Sequence, residues 1–193
     1  MVDVSDSMYG RALDIAIALG LVTSQLTTPP FTNTCITFSI YPEFHQIQGQ
    51  TLQEKIKSIM KMNWGTNTDL MAVFKLILDR AQTNQLAPEK MVETLFIFTD
   101  MKFDHAIDTG DWKSTHTQIQ DMYRESGYKM PHIVYWNLRS CSLAFPAIKD
   151  TPNVELVSGF SDVLIKGFMS GQEFDPMNIM LNTIQPYLDH VQL

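Results

Sequence analysis

The hydrophobic positions of this chain change period several times. Over residues 9–27, Ala12, Ala16 and Gly20 recur every fourth position, with Leu13, Ile17 and Leu21 beside them. A stripe of small residues at that spacing predicts a helix lying close against a sheet. Thr27-Thr28-Pro29-Pro30 stops it. Thr34 to Ile40 alternates and is rich in β-branched residues, so it predicts a strand. Phe44 to Ile47 reads as a short partner strand closed by Gln48-Gly49. Residues 51–61 predict a helix with Leu52, Ile56 and Ile59 inward. Residues 69–84 predict another with Leu70, Val73, Phe74, Ile77 and Leu78 inward. Glu93–Thr99 is almost continuously apolar, the pattern of a strand covered on both faces. An acidic loop from Met101 to Asp111 precedes a helix from about Trp112 to Ser126, ended by Gly127. His132–Asn137 and Val154–Val157 predict two more strands. Ser161–Ser170 and Pro176–His190 predict two closing helices, begun near Ser161 and by Asp175-Pro176.

Strands alternating with helices predict an α/β fold: a doubly wound, mostly parallel sheet flanked by helices. At 193 residues a single domain over 1–193 is the expectation. Only Met1 and Val2 precede Asp3, whereas a strand usually runs to about 5 residues. Either the first strand is clipped or the chain is a fragment of a longer protein whose upstream part is absent, and the fragment is the expectation.

In such sheets ligands gather at the carboxyl ends of the strands. Two aspartates fall there. Asp3 opens Asp3-Val4-Ser5-Asp6-Ser7 after Val2, and Asp100 ends the Leu95–Thr99 run. Asp3, Ser5 and Ser7 at alternate positions on a turn can aim three oxygens at one point. Carboxylate and hydroxyl oxygens are hard ligands of the kind Mg²⁺ or Mn²⁺ takes. A third loop, Trp64-Gly65-Thr66-Asn67-Thr68-Asp69, offers a threonine hydroxyl from either Thr66 or Thr68. The bland alternative is that Ser7 caps the following helix and Asp100 caps a loop.

Composition removes some function classes. The chain has 14 basic and 21 acidic side chains and a net charge of −7, the wrong sign for a nucleic-acid surface. Lys55, Lys57 and Lys61 read as one solvated helix face. Cys35 and Cys141 form no motif and no signal peptide precedes Asp3, so a reduced, cytoplasmic protein is expected. No apolar run is long enough for a membrane span. His45, His116, His132 and His190 lack metal-ligand spacing. Asp104, His105, Asp108 and Asp111 read as a solvated acidic loop, with Asp104 the best placed to support a ligand from behind. Asn137 and Arg139 end a strand where they can reach a bound ligand, while Trp136 reads as core. Met60, Met62 and Met71 read mainly as core filling beside the Thr68 loop.

D-x-S-x-S, then a loop threonine, then a strand-end T-D, resembles the metal-ion-dependent adhesion site of von Willebrand factor A (vWA) domains. More closely, the chain resembles the C-terminal vWA-like domain of the DUF2828 family. The stretches that carry the likeness are Asp3–Met8, Ile36–Ser39, Ile47–Gly49, Trp64–Asp69, Phe98–Asp104, Val134–Arg139 and Leu156–Ser161, in order through nearly the whole chain. The resemblance implies metal ligands at Asp3, Ser5, Ser7, Thr68 and Asp100. Thr68 is preferred because Leu70, Val73, Phe74 and Ile77 then fall in helix-core phase behind it. Asp6, Thr66, Asp69 and Asp104 would stand behind the ligands. It also implies a helical upstream region related to that of the Ro autoantigen. Two departures stand out. Asp6 replaces the usual glycine between the serines, tolerable because aspartate accepts a left-handed backbone better than most residues. Met101 stands where many vWA domains have glycine.

The expected function is a divalent-metal-dependent protein-binding module whose metal takes a partner's carboxylate, with no enzymatic activity. No general base or activated nucleophile stands beside the site. A Mg²⁺-dependent phosphohydrolase is the weaker reading, because its second aspartate is replaced by Ser5. A place in a ribonucleoprotein through the missing helical region rests on fold analogy alone.

Overall fold

The computed structural model describes residues 1–63, 65, 68–101, 111–139, 151–159, 180, 181 and 184, with backbone alone at 111–114. The chain divides into two compact units, Met1–Gly159 and Phe160–Leu193. In the second, Met180, Leu181 and Ile184 are helical and exposed. The expected helix Ser161–Ser170, and the rest of Pro176–His190, lie outside the described residues.

The first unit is mixed α/β. In chain order its elements are α1 (Arg11–Leu26), β1 (Thr34–Ile36), β2 (Phe44–Gln46), α2 (Leu52–Ile59) and α3 (Leu70–Thr83). They continue with β3 (Thr94–Thr99), α4 (Asp111–Glu125), β4 (His132–Asn137) and β5 (Val154–Ser158). β3, β4 and β5 form a parallel sheet in that order, and β1 and β2 an antiparallel pair. Thr94 pairs with His132 and Thr99 with Asn137, so β3 and β4 run in step to their carboxyl ends.

The N-terminal stub lies beside both sheets. Val2 forms parallel bridges to Thr37, just past β1, and to Phe98 in β3. Val2 N–H donates to the Ile36 carbonyl at 3.2 Å, and Asp3 N–H to the Phe98 carbonyl at 3.0 Å. Two residues thus do the work of a strand and deliver Asp3 to the end of β3.

Side chains of β3 alternate between two faces. Leu95 and Ile97 join the main core with Val73, Phe74 and Ile77 of α3 and Ile119 and Tyr123 of α4. Phe96 and Phe98 stack at 5.9 Å on the other face, and Phe98 meets Trp136 at 5.8 Å. α1 packs on β1 and β3 with Ala12, Ala16, Ile17 and Leu21 buried. Its approach is close: a Cβ on Gly20 would lie 2.5 Å from the Val2 Cγ2.

Several expectations needed correction. α1 begins at Arg11 rather than residue 9 because Gly10 takes φ +94°, outside the helical region. β1 ends at Ile36, short of the expected Ile40. Leu52 points out at 67% exposure. It occupies the first turn of α2, which Thr51 and Glu54 fix by a reciprocal capping box rather than by burial. Met62 is buried and Met71 packs on the core as expected, but Met60 is exposed.

Candidate metal centre

The Asp3–Ser7 turn is shaped by its own polar atoms. Asp3 is buried, and its Oδ1 accepts from Ser5 N–H at 2.9 Å. Asp6–Met8 then form one 3-10 turn, with Met8 N–H donating to the Ser5 carbonyl at 2.9 Å. Asp6 is exposed and lies in this right-handed turn, so its tolerance of a left-handed backbone is not called upon. The bland role for Ser7 also fails: Gly10 is the N-cap of α1. Instead Ser5 Oγ and Ser7 Oγ lie 3.0 Å apart and share a hydrogen bond.

Asp100 follows β3 and is buried. Between the two aspartates stands Thr99, whose hydroxyl donates to Asp3 Oδ2 at 2.9 Å and accepts from Met101 N–H at 3.2 Å. Thr99 therefore orients Asp3, a role the strand pattern gave no reason to assign. Burial pushes the Asp3 carboxyl above the ordinary carboxylate range. Hydrogen bonds from Ser5 and Thr99 oppose that shift, and the Asp100 charge adds to it. Two carboxylates thus meet at neighbouring strand ends. Met101 takes φ +62°, a region that favours glycine, while fully buried. The departure at this position therefore costs backbone strain.

The Thr68 loop is tied to this edge by Gly65 N–H, which donates to the Phe38 carbonyl past β1 at 3.0 Å. Thr68 Oγ1 is buried and, among the described residues, has no hydrogen-bond partner. Asp69 is the N-cap of α3, its Oδ1 accepting from Ala72 N–H at 3.0 Å. Thr66, Asp104, His105 and Asp108 lie outside the described residues, as does the Asp111 side chain.

Asn137 and Arg139 complete the edge. Asn137 is buried and its Oδ1 accepts from Arg139 N–H at 2.8 Å. Arg139 reaches back over the serine turn, its Nη2 donating to the Tyr9 carbonyl at 3.0 Å.

These residues suit a hard divalent cation. The donor set is all oxygen, and Thr68 holds a buried hydroxyl with no hydrogen-bond partner among the described residues. Neighbouring ligands around Mg²⁺ lie about 3.0 Å apart, given an octahedron of radius about 2.1 Å. The serine hydroxyls have that separation. Among the described residues there is no cluster of three or more His, Cys, Asp or Glu. Among the described residues the histidines have other partners: His45 meets Ser58 at 3.0 Å, and His132 meets Glu155 at 3.2 Å. His116 bonds the Pro152 backbone, and burial lowers its pKa. Cys35 is a buried free thiol whose pKa burial raises. No helix among the described residues is long and apolar enough to cross a membrane.

Comparison with known proteins adds kinship. "Uncharacterized protein L728" of Acanthamoeba polyphaga mimivirus is 40% identical over 189 residues, 97% of this chain and 33% of the viral protein. The chain thus spans about a third of the length of that curated relative. No solved structure matches. Residues 1–186 match the family described as "Domain of unknown function (DUF7788)", and the chain belongs to that family.

Proposed function

We propose that this domain is a divalent-metal-dependent protein-binding module with a vWA-like, doubly wound sheet, akin to the C-terminal domain of DUF2828 proteins. Asp3, Ser5, Ser7, Thr68 and Asp100 would hold Mg²⁺ or Mn²⁺, which when bound supplies a Lewis-acidic point for a partner's carboxylate. The protein's own groups set up that point. Ser5 N–H and Thr99 hydroxyl fix Asp3, and the 3-10 turn presents the two serines. One observation carries the reading. Asp3 and Asp100 are buried at adjacent strand ends, and burial together with the Asp100 charge raises the Asp3 carboxyl's pKa. Like charges placed so are costly unless a cation joins them.

A binding role follows from the absence, among the described residues of this edge, of a base hydrogen-bonded to a nucleophile. An intracellular setting follows from the free, buried Cys35. With a charge of −7, the domain is not proposed to bind nucleic acid directly.

The test is calorimetric titration of Mg²⁺ and Mn²⁺ into metal-free protein, alongside Asp3→Asn, Asp100→Asn and Thr68→Val. Saturable uptake by the wild type, lost in both aspartate variants and weakened in Thr68→Val, is expected. Folded wild-type protein that takes up neither metal would sink the proposal.

A further inference from the structure

α1 buries one side against the sheets and keeps apolar residues on the other. Ala12, Ala16, Ile17, Gly20, Leu21 and Ser24 are buried. At about 100° per residue, Ile15, Leu19, Val22 and Leu26 fall within about 60° of one another on the remaining side. Ile15 and Leu19 are half-buried, while Ala18, Val22 and Leu26 are exposed, Val22 at 44% and Leu26 at 55%. A helix lying on a sheet ordinarily turns charged and polar residues outward. Here no charged side chain occurs from Ile15 to Pro42: the 14 basic and 21 acidic side chains all lie elsewhere. A strip that is exposed, apolar and uncharged has the composition of an interface core rather than of a solvated face. α2, which packs on α1, bears Glu54, Lys55 and Lys57, so charge returns beside the strip as it does at an interface rim.

The occupant must be uncharged where it meets the strip, because a charge brought there would lose water without gaining a partner. A second copy of this chain meets that condition. A twofold pair presents the same patch from both sides. The strip fits itself when the two helices run antiparallel about a centre between Gly20 and Leu21. Ile15 then stands across from the partner's Leu26, and Leu19 from the partner's Val22. Arg11 and Asp14, at the start of the helix, come to face the partner's Pro30 and the partner's Thr27. A parallel pair would instead set each of these charges against its own kind. Elsewhere two copies, each carrying −7, repel one another. The uncharged strip is where they can touch at least cost.

We infer that the outward face of α1 is the contact between two copies of this chain, packed antiparallel along Ile15, Leu19, Val22 and Leu26. The contact is independent of the metal reading. A pair of helices this short covers less than the roughly 1,200 Å² of a standard interface, so the dimer is weak and forms at micromolar concentration.

The test is sedimentation of the full chain from low to high micromolar concentration, with and without a chelator. The wild type should pass from monomer to dimer equally in both conditions. Added NaCl should strengthen the dimer by screening the repulsion between two acidic copies. Val22→Glu should weaken it at least about tenfold, because an unpaired charge enters a desolvated contact. Leu26→Gln should weaken it less. Thermal melting checks that each variant folds, which the exposure of both positions favours. Tyr41→Glu, at an exposed apolar position off α1, should leave dimerisation unchanged. Oxidation with copper phenanthroline reads the register. A mixture of Leu19→Cys and Val22→Cys chains should give more disulfide-linked dimer than either variant alone, with wild type as the blank. A wild type that stays monomeric at every concentration would overturn the inference and leave the strip to a different chain. So would dimerisation that survives Val22→Glu, that is lost equally in Tyr41→Glu, or that needs a divalent cation. Val22→Cys linking to itself more readily than the mixture would overturn the antiparallel pairing.

Discussion

Two acids, one half-buried and one buried, sit at opposite ends of the parallel sheet, and the fold treats them differently. At the amino end Glu155 of β5 faces His132 of β4 at 3.2 Å. Burial raises the Glu155 carboxyl, and the imidazole's charge and hydrogen bond pull it back. At the carboxyl end burial also raises Asp3, but the neighbouring charge is Asp100, which pushes the same way. Hydrogen bonds from Ser5 and Thr99 steady Asp3 without neutralising it. At one end the acid is set against an imidazole. At the other a second carboxylate stands near it and its hydrogen bonds come from Ser5 and Thr99, which is why the carboxyl end is proposed as a place for a cation.

The strongest way to break this contrast is to neutralise Asp3. Asp3→Asn should lower Mg²⁺ or Mn²⁺ affinity by at least about a hundredfold, since Mg²⁺ sites rest on one or two carboxylates. The same change should stabilise the metal-free protein by about 1 kcal/mol in urea unfolding, because a buried like-charge pair is removed. A variant that lost stability and kept its metal would reverse the assignment.

Acid should separate the two states next. In metal-free protein the folded-state pKa of Asp3 exceeds its unfolded value, so the folded state binds more protons. The resulting penalty is fully present above the raised pKa. It is relieved as pH falls through that pKa, and the gain is complete below the unfolded value. Protein saturated with Mg²⁺ should behave oppositely, since protons compete with the cation for Asp3. Melting temperature against pH, measured with and without Mg²⁺, should give slopes of opposite sign. Parallel slopes would mean that Asp3 does not hold the cation.

At the amino end, His132→Ala should cost about 1 kcal/mol by leaving Glu155 buried without its partner. Adding Glu155→Gln should restore part of that loss, and a double-mutant cycle in urea measures the coupling. Neither change should alter metal affinity by more than about twofold, because the pair lies at the other end of the sheet. The smallest expected effect is that of Thr68→Val on the metal-free fold. Replacing a buried hydroxyl that has no partner among the described residues should leave stability unchanged or raise it by up to about 1 kcal/mol. Metal affinity should still fall. Destabilisation with intact affinity would place Thr68 outside the site.

Much of this architecture was legible in the residues because two periodicities dominate it. α3 buries Leu70, Val73, Phe74, Ile77 and Leu78 as its spacing predicts, and β4 spans His132–Asn137 as its apolar run predicts. Leu52 misled because period alone does not say where a helix overhangs its support. The handedness at Asp6 misled because a 3-10 turn and a left-handed turn can be built from the same short polar sequence. Thr99 was missed for another reason. Its hydroxyl acts on Asp3, 96 positions away, and that contact exists only once the stub lies beside β3. The choice of Thr68 drew on the helix phase behind it, and its buried hydroxyl, without a partner among the described residues, is a separate argument offered for the same residue.

The contact between Gly20 and Val2 has a consequence for how this family can vary. A methyl group at position 20 would press to 2.5 Å against Val2, one residue from Asp3. Gly20→Ala alone should therefore push the stub off its seat, while Gly20→Ala with Val2→Ala should restore the fit. Across related sequences the two positions are expected to covary, a larger residue at one accompanied by a smaller residue at the other.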